Sequence, residues 1–213
     1  MVRSVVRSTM TLIACGVLST VLAPTAEAQN RERLVRIGFS GGAAVPIGDI
    51  ADYANAGAAV QGFLQIAPAN WPTTFRLGAL YSRFAGKDGA SLTLPPTPVG
   101  SGIPTQQALV DGTQLLGGLA QVRYELAKGS SVRPYVIGGA GAFNVRQTFA
   151  DLRSGNSVDK VRFALDGGAG FTFAFAGADA FVEARISNLF GADGVARELS
   201  SLRVVPISFG VVF

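Results

Sequence analysis

The sequence predicts an all-β chain, an eight-stranded antiparallel up-and-down transmembrane β-barrel. Three observations carry that expectation. Apolar residues alternate with polar or small ones at a period of two along most of the chain, the mark of strands with one face in an apolar medium. The alternating segments are about ten residues or longer, the length a tilted strand needs to cross hydrocarbon. The connections between them are alternately short and long. Composition agrees, since 48% of the 213 residues are apolar and only 15% are charged, against about 25% in ordinary soluble domains.

Residues 1–28 read as a secretory signal peptide. Arg3 and Arg7 form a basic start, Met10 to Ala23 is mostly apolar, Pro24 ends the run, and Ala26-Glu27-Ala28 supplies a small-residue cleavage site. Such a run is too short to span a bilayer as a helix. Leu12-Ile13-Ala14-Cys15 resembles a lipoprotein box, but Arg7 stands close and the apolar run continues past Cys15. Cleavage is therefore expected after Ala28, leaving residues 29–213 as the barrel domain, without a cysteine.

The strands follow in order, with the apolar face expected toward lipid. Val35, Ile37 and Phe39 oppose Arg36, Gly38 and Ser40; Val60, Leu64 and Ile66 oppose Gln61, Phe63 and Gln65. Phe75, Leu77, Ala79 and Tyr81 oppose Arg76, Gly78, Leu80 and Ser82; Ala120, Val122 and Tyr124 oppose Gln121, Arg123 and Glu125. Tyr135, Ile137, Phe143 and Val145 oppose Gly138, Ala140, Asn144 and Arg146. Val161, Phe163, Leu165 and Phe171 oppose Arg162, Ala164, Asp166 and Thr172; Val182, Ala184 and Ile186 oppose Glu183, Arg185 and Ser187. The last strand sets Val205, Ile207, Phe209, Val211 and Phe213 against Val204, Pro206, Ser208, Gly210 and Val212. Short connections fall near Pro68 to Pro72, Lys128 to Ser131 and Ala176 to Ala178. Longer ones are expected near 46–57, 86–112, 147–160 and 191–202, the second being proline-rich and exposed.

The charged face can only be the lumen, because an eight-stranded barrel in lipid has apolar residues outside and room inside for little but side chains. That predicts a lumen charge network of Arg36, Arg76, Arg123, Glu125, Arg146, Arg162, Asp166, Glu183 and Arg185. Glu183 and Glu125 are expected to neutralise the arginines nearest the short turns, since unpaired buried ions are costly. The same polarity argues against a soluble barrel with a ligand inside.

Catalytic readings fail on the residues. The chain has no histidine, so imidazole bases and ligands are excluded. Glu183 and Asp166 could be taken for a hydrolase pair, but arginines nearby keep both ionised, which defeats a general acid. Gly138-Gly-Ala-Gly141 and Asp166-Gly-Gly-Ala-Gly170 lie inside strands and do not fit a phosphate loop, so they read as close packing or strand bending. Trp71, Tyr81, Tyr124 and Tyr135 read as interface-belt aromatics. No pattern calls for a cofactor or metal. A net charge of +4 spread along an exported chain is no nucleic-acid footprint.

The signal peptide, the eight alternating strands and the closing Val205–Phe213 with its final aromatic resemble the small Gram-negative outer-membrane β-barrels of the OmpA/OmpX-like superfamily. The resemblance covers residues 29–213. It implies a place in the cell outer membrane among its lipids, and an assembly signal at Phe209, Val211 and Phe213 for the barrel-assembly machinery. Barrel enzymes of similar size, the lipid A acyltransferases and deacylases, depend on a histidine that is missing here. The expectation is a non-enzymatic protein with an envelope-structural or surface-interaction role through its loops, its surface ligand unknown. The alternative is a narrow porin-like channel with a mild anion preference.

Overall fold

The computed structural model describes residues 34–68, 71–89, 91–93, 107–127, 129–149, 157–190 and 201–213. The strands are β1 (Val35–Ile47), β2 (Gly57–Ile66), β3 (Thr73–Ala85), β4 (Ser91–Thr93), β5 (Gln107–Glu125), β6 (Val132–Phe149), β7 (Ser157–Phe175), β8 (Ala178–Phe190) and β9 (Ser201–Val212). All but β4 close into one antiparallel barrel in sequence order, with β3 pairing β5 and β9 pairing β1. The short β4 pairs only with the start of β5.

The register fixes the tilt. A row of cross-strand partners leaves β3 at Thr73 and passes Tyr124, Val136, Ala169, Ala184, Ile207, Ala43 and Ala58. It returns to β3 at Arg83, ten residues along. A stagger of this kind goes with strands tilted by roughly 35–45° in a closed barrel. The β7–β8 hairpin turns on Ala176 (φ 49°) and Gly177 (φ 83°). Two positive φ angles give the turn whose twist matches the flanking strands, and Gly177 takes its share without strain.

Alternation sorts the side chains. Ile37, Phe39, Leu64, Phe75, Phe171 and Phe209 stand exposed on the outer wall. An apolar surface running round the whole barrel is far larger than a soluble monomer exposes and belongs in hydrocarbon. The lumen has two zones. Nearest the short turns it is polar and charged. Toward the long-loop end it is packed with Leu80, Phe84, Leu115, Leu119, Phe143 and Leu189.

That apolar zone corrects the expectation for β6. Tyr135, Ile137, Phe143 and Val145 point inward and are buried. Arg146 is therefore on the outer wall, outside the lumen, where it pairs with Asp159, its cross-strand neighbour on β7. The reason is local. Where the lumen itself is apolar, burial drives the larger hydrophobes of β6 inside, and Gly138, Ala140 and Ala142 remain to face out. Tyr135 is likewise a lumen residue, whereas Trp71, Tyr81 and Tyr124 are exposed outside.

The connections also differ from expectation. β1 continues to Ile47, β5 begins at Gln107, β6 reaches Phe149 and β7 begins at Ser157. Parts of the spans 46–57, 86–112, 147–160 and, at Ser201 and Leu202, 191–202 are therefore strand, because backbone ladders propagate past the apolar band whatever the side chains. Residues 94–106, 150–156 and 191–200, with the prolines at 95, 96, 98 and 104, lie outside the described residues. So does the expected cleavage site at Ala26 and Ala28.

After β1 the chain makes a short 3-10 turn at Gly48–Asp52 and folds back over the barrel. Ile50 and Ala54 are buried in the apolar zone with Phe84, Leu202 and Val204. The segment is tied to the next connection by Asn55 N–H to the Ala85 carbonyl (2.9 Å) and Lys87 N–H to the Tyr53 carbonyl (3.0 Å).

Candidate functional site: the lumen charge network

The network begins at the short-turn end, where water reaches it. Asp179 on β8 accepts from Arg36 on β1 (2.8 Å) and from Arg133 on β6 (2.6 Å). Arg36 also donates to the Val212 carbonyl of β9 at 3.2 Å. Arg133 stands 4.0 Å from Glu125, which accepts from Arg123 at 2.7 Å.

Arg123 carries the network into the interior. It donates to the Thr172 hydroxyl at 2.8 Å, and its guanidinium lies 3.9 Å over the Tyr135 ring, a cation–π contact strengthened by desolvation. The Tyr135 hydroxyl donates to Glu183 at 2.8 Å. Glu183 is the hub, since it also pairs with Arg76 and with Arg185, each at 3.0 Å. The Arg76 guanidinium lies 4.1 Å from the Phe63 ring and 5.2 Å from that of Phe181. Arg185 donates to Gln61 at 2.8 Å and pairs with Asp166 at 3.2 Å; Gln121 donates to the same carboxylate.

Every barrel strand thus contributes a group. Of the nine charges expected in the lumen, Arg36, Arg76, Arg123, Glu125, Asp166, Glu183 and Arg185 are joined through these contacts. Arg162 is inward and buried on β7, and Arg146 is outside. Glu183 holds Arg76 and Arg185, and Glu125 holds Arg123. Asp179 and Arg133, which sequence reasoning passed over, complete the ring at the wet end. Their signal was available: Asp179 shares the parity of Glu183 and Arg185, and Arg133 that of Tyr135. Gln61, Gln121 and Thr172 carry no such signal beyond polarity on an inward face.

Chemically the arrangement cross-links strands and fills the bore. The carboxylates are held by guanidiniums, with no free acid opposite a base. Among the described residues no group of three or more Asp, Glu, Cys or His side chains converges as a metal site.

No protein-family model and no curated protein sequence matches the chain. Solved structures do. Neisserial surface protein A has 13% identity and a TM-score of 0.54, over 84% of this chain and 96% of that one. A major outer membrane protein from Thermus thermophilus has 10% identity and a TM-score of 0.54, over 85% of this chain and 99% of that one. The fold is that of these small outer-membrane β-barrels. In this chain the aromatic row of the expected assembly signal stands on the outer wall, with Phe209 and Phe213 exposed. The Phe213 N–H closes on the Ile37 carbonyl at 2.9 Å.

Proposed function

We propose that this chain is an exported, integral outer-membrane protein without a catalytic step, which stabilises the envelope or contacts surface partners through its long-loop end. The barrel is its anchor. The observation that carries the reading is a bore filled twice over. The charge network occupies one half, and the apolar zone beneath Ile50 occupies the other. A filled bore argues against solute passage and leaves the loops as the place for recognition. The outer-membrane setting accords with the apolar wall and with the two similar structures, a surface protein and a major outer membrane protein.

Planar-bilayer recording on the refolded protein tests this. No stable conductance is expected from the intact chain. Steady channels with anion preference would favour the porin-like alternative and overturn the sealed-bore reading.

Assembly is proposed to use the C-terminal strand. β9 pairs with both β1 and β8, so it is the seam on which closure depends. Deleting Phe213 should lower the heat-modifiable, folded fraction in outer-membrane extracts. Unchanged folded protein would remove Phe213 from the assembly signal.

A further inference from the structure

The charge network leaves one edge of one guanidinium over. Arg76 donates to Glu183 through Nη1. Its Nε and Nη2, which together form the side edge of the group, are buried without a hydrogen-bond partner. So is the amide nitrogen of Gln61 on β2. That amide cannot turn over, because its Oε1 accepts from Arg185 at 2.8 Å. Arg76 and Gln61 both face the lumen and are buried. Buried donors of this kind ordinarily have an acceptor.

The donors are held close together. Arg185 joins Gln61 to Glu183, and Glu183 joins Arg185 to Arg76. The Arg76 guanidinium lies 4.1 Å from the Phe63 ring. Gly78 is the next inward residue after Arg76 on β3. A Cβ there would stand 2.8 Å from the Phe63 Cβ and 3.2 Å from Gln61 Nε2. Glycine thus keeps the amide nitrogen clear on the side toward Arg76. Charge points the same way. The ion pairs described above join five guanidiniums to four carboxylates, one positive charge in excess. A buried charge needs a compensating one. The Gln65 Oε1, across the ladder from Arg76, is an acceptor but supplies none.

We propose that Arg76 and Gln61 bind one small monovalent anion of the halide class inside the lumen, beside Gly78. A halide accepts from all three N–H groups and cancels the excess charge, and hydrogen bonds to an ion are the strong ones. Water matches less well, since three donors exceed its two lone pairs and it brings no charge. The clearance at Gly78 is on the scale of a methyl group, which suits a single atom and not a carboxylate or phosphate.

Urea unfolding of the refolded protein in non-ionic detergent tests it, with sodium chloride replacing sodium gluconate at fixed ionic strength. Gluconate is too large for the site. An anion bound by the folded chain alone raises the folding constant in proportion to its occupancy, so about tenfold is expected at ~0.2 M chloride for a dissociation constant of ~20 mM. Chloride-35 line broadening by the folded protein gives a second reading without unfolding. Gln61→Glu keeps the acceptor for Arg185 and builds the negative charge into the chain, so it should fold and ignore chloride in both measurements. Gln61→Met removes the donor without adding charge and should weaken chloride binding by about tenfold. Arg133→Gln, at the wet end, should respond as the parent does. A parent indifferent to chloride would mean that water alone meets these donors, and would overturn the site. An undiminished response in Gln61→Met or in a folded Gln61→Glu, or a response lost in Arg133→Gln, would place the anion elsewhere and overturn it equally.

Discussion

Glu183→Gln is expected to destabilise the barrel by about 3–5 kcal/mol, measured as urea unfolding in detergent. The Glu183 side chain is 1% exposed and pairs with Arg76 and Arg185, whose side chains are equally buried. The amide keeps the shape and can still accept from Tyr135, but it supplies no charge. Two guanidiniums are then left in a closed bore with Asp166 as the remaining carboxylate beside Arg185. Removing one member of a buried pair costs more than the pair contributes, because the survivor stays desolvated. Glu125→Gln provides the contrast. Its side chain is 16% exposed at the wet end, so water replaces much of what is lost. Its cost should be about 1 kcal/mol or less. Adding Arg76→Met to Glu183→Gln should recover part of the loss by removing one orphaned charge. Glu183→Gln within about 1 kcal/mol of the parent would mean that the lumen is wet and the network incidental.

Most of the barrel was legible because one rule holds over most of it: apolar residues outward, charged residues inward. Arg76, Arg123, Glu183 and Arg185 follow from that rule, as each sits between apolar neighbours on a strand of unmistakable parity. The rule fails on β6. There the inner face is as apolar as an outer one, and only burial distinguishes Phe143 and Val145 from residues in lipid. A reading that sends every apolar face to lipid places Arg146 on the wrong side of the wall. Period-two patterning reports that a strand has two faces; it does not report which face is inside when both media are apolar. The turn carrying Ile50 was hidden for a related reason. A single buried side chain in a short connection has no periodicity to reveal it, and its burial depends on Phe84, Leu202 and Val204 arriving from distant strands.

Glycines record what periodicity cannot, namely how closely the inner walls approach. Gly170 lies on the inner face of β7. A methyl group there would overlap the Val182 carbonyl and come within 2.6 Å of the Tyr135 ring carbon and hydroxyl. Backbone cannot retreat without opening the β7–β8 ladder, and Tyr135 cannot retreat without leaving Glu183. Gly170→Ala should therefore cost about 1–3 kcal/mol through overpacking. A comparable further loss is expected as the hydroxyl is pulled from its carboxylate. Gly167→Ala is the control on the same strand. Its side chain would face outward, with the nearest atom, the Ile137 carbonyl oxygen, at 3.9 Å. That change should be neutral or slightly stabilising, since glycine in a strand interior gives up more freedom on folding than alanine. Unfolding of the two variants in parallel, with near-ultraviolet circular dichroism to follow the tyrosine, separates the causes. A large loss for Gly170→Ala with an altered tyrosine signal, beside a parent-like Gly167→Ala, ties the glycine to the network. Equal stabilities for the two would show that the inner wall yields, and that Tyr135 and Glu183 are not held by close packing.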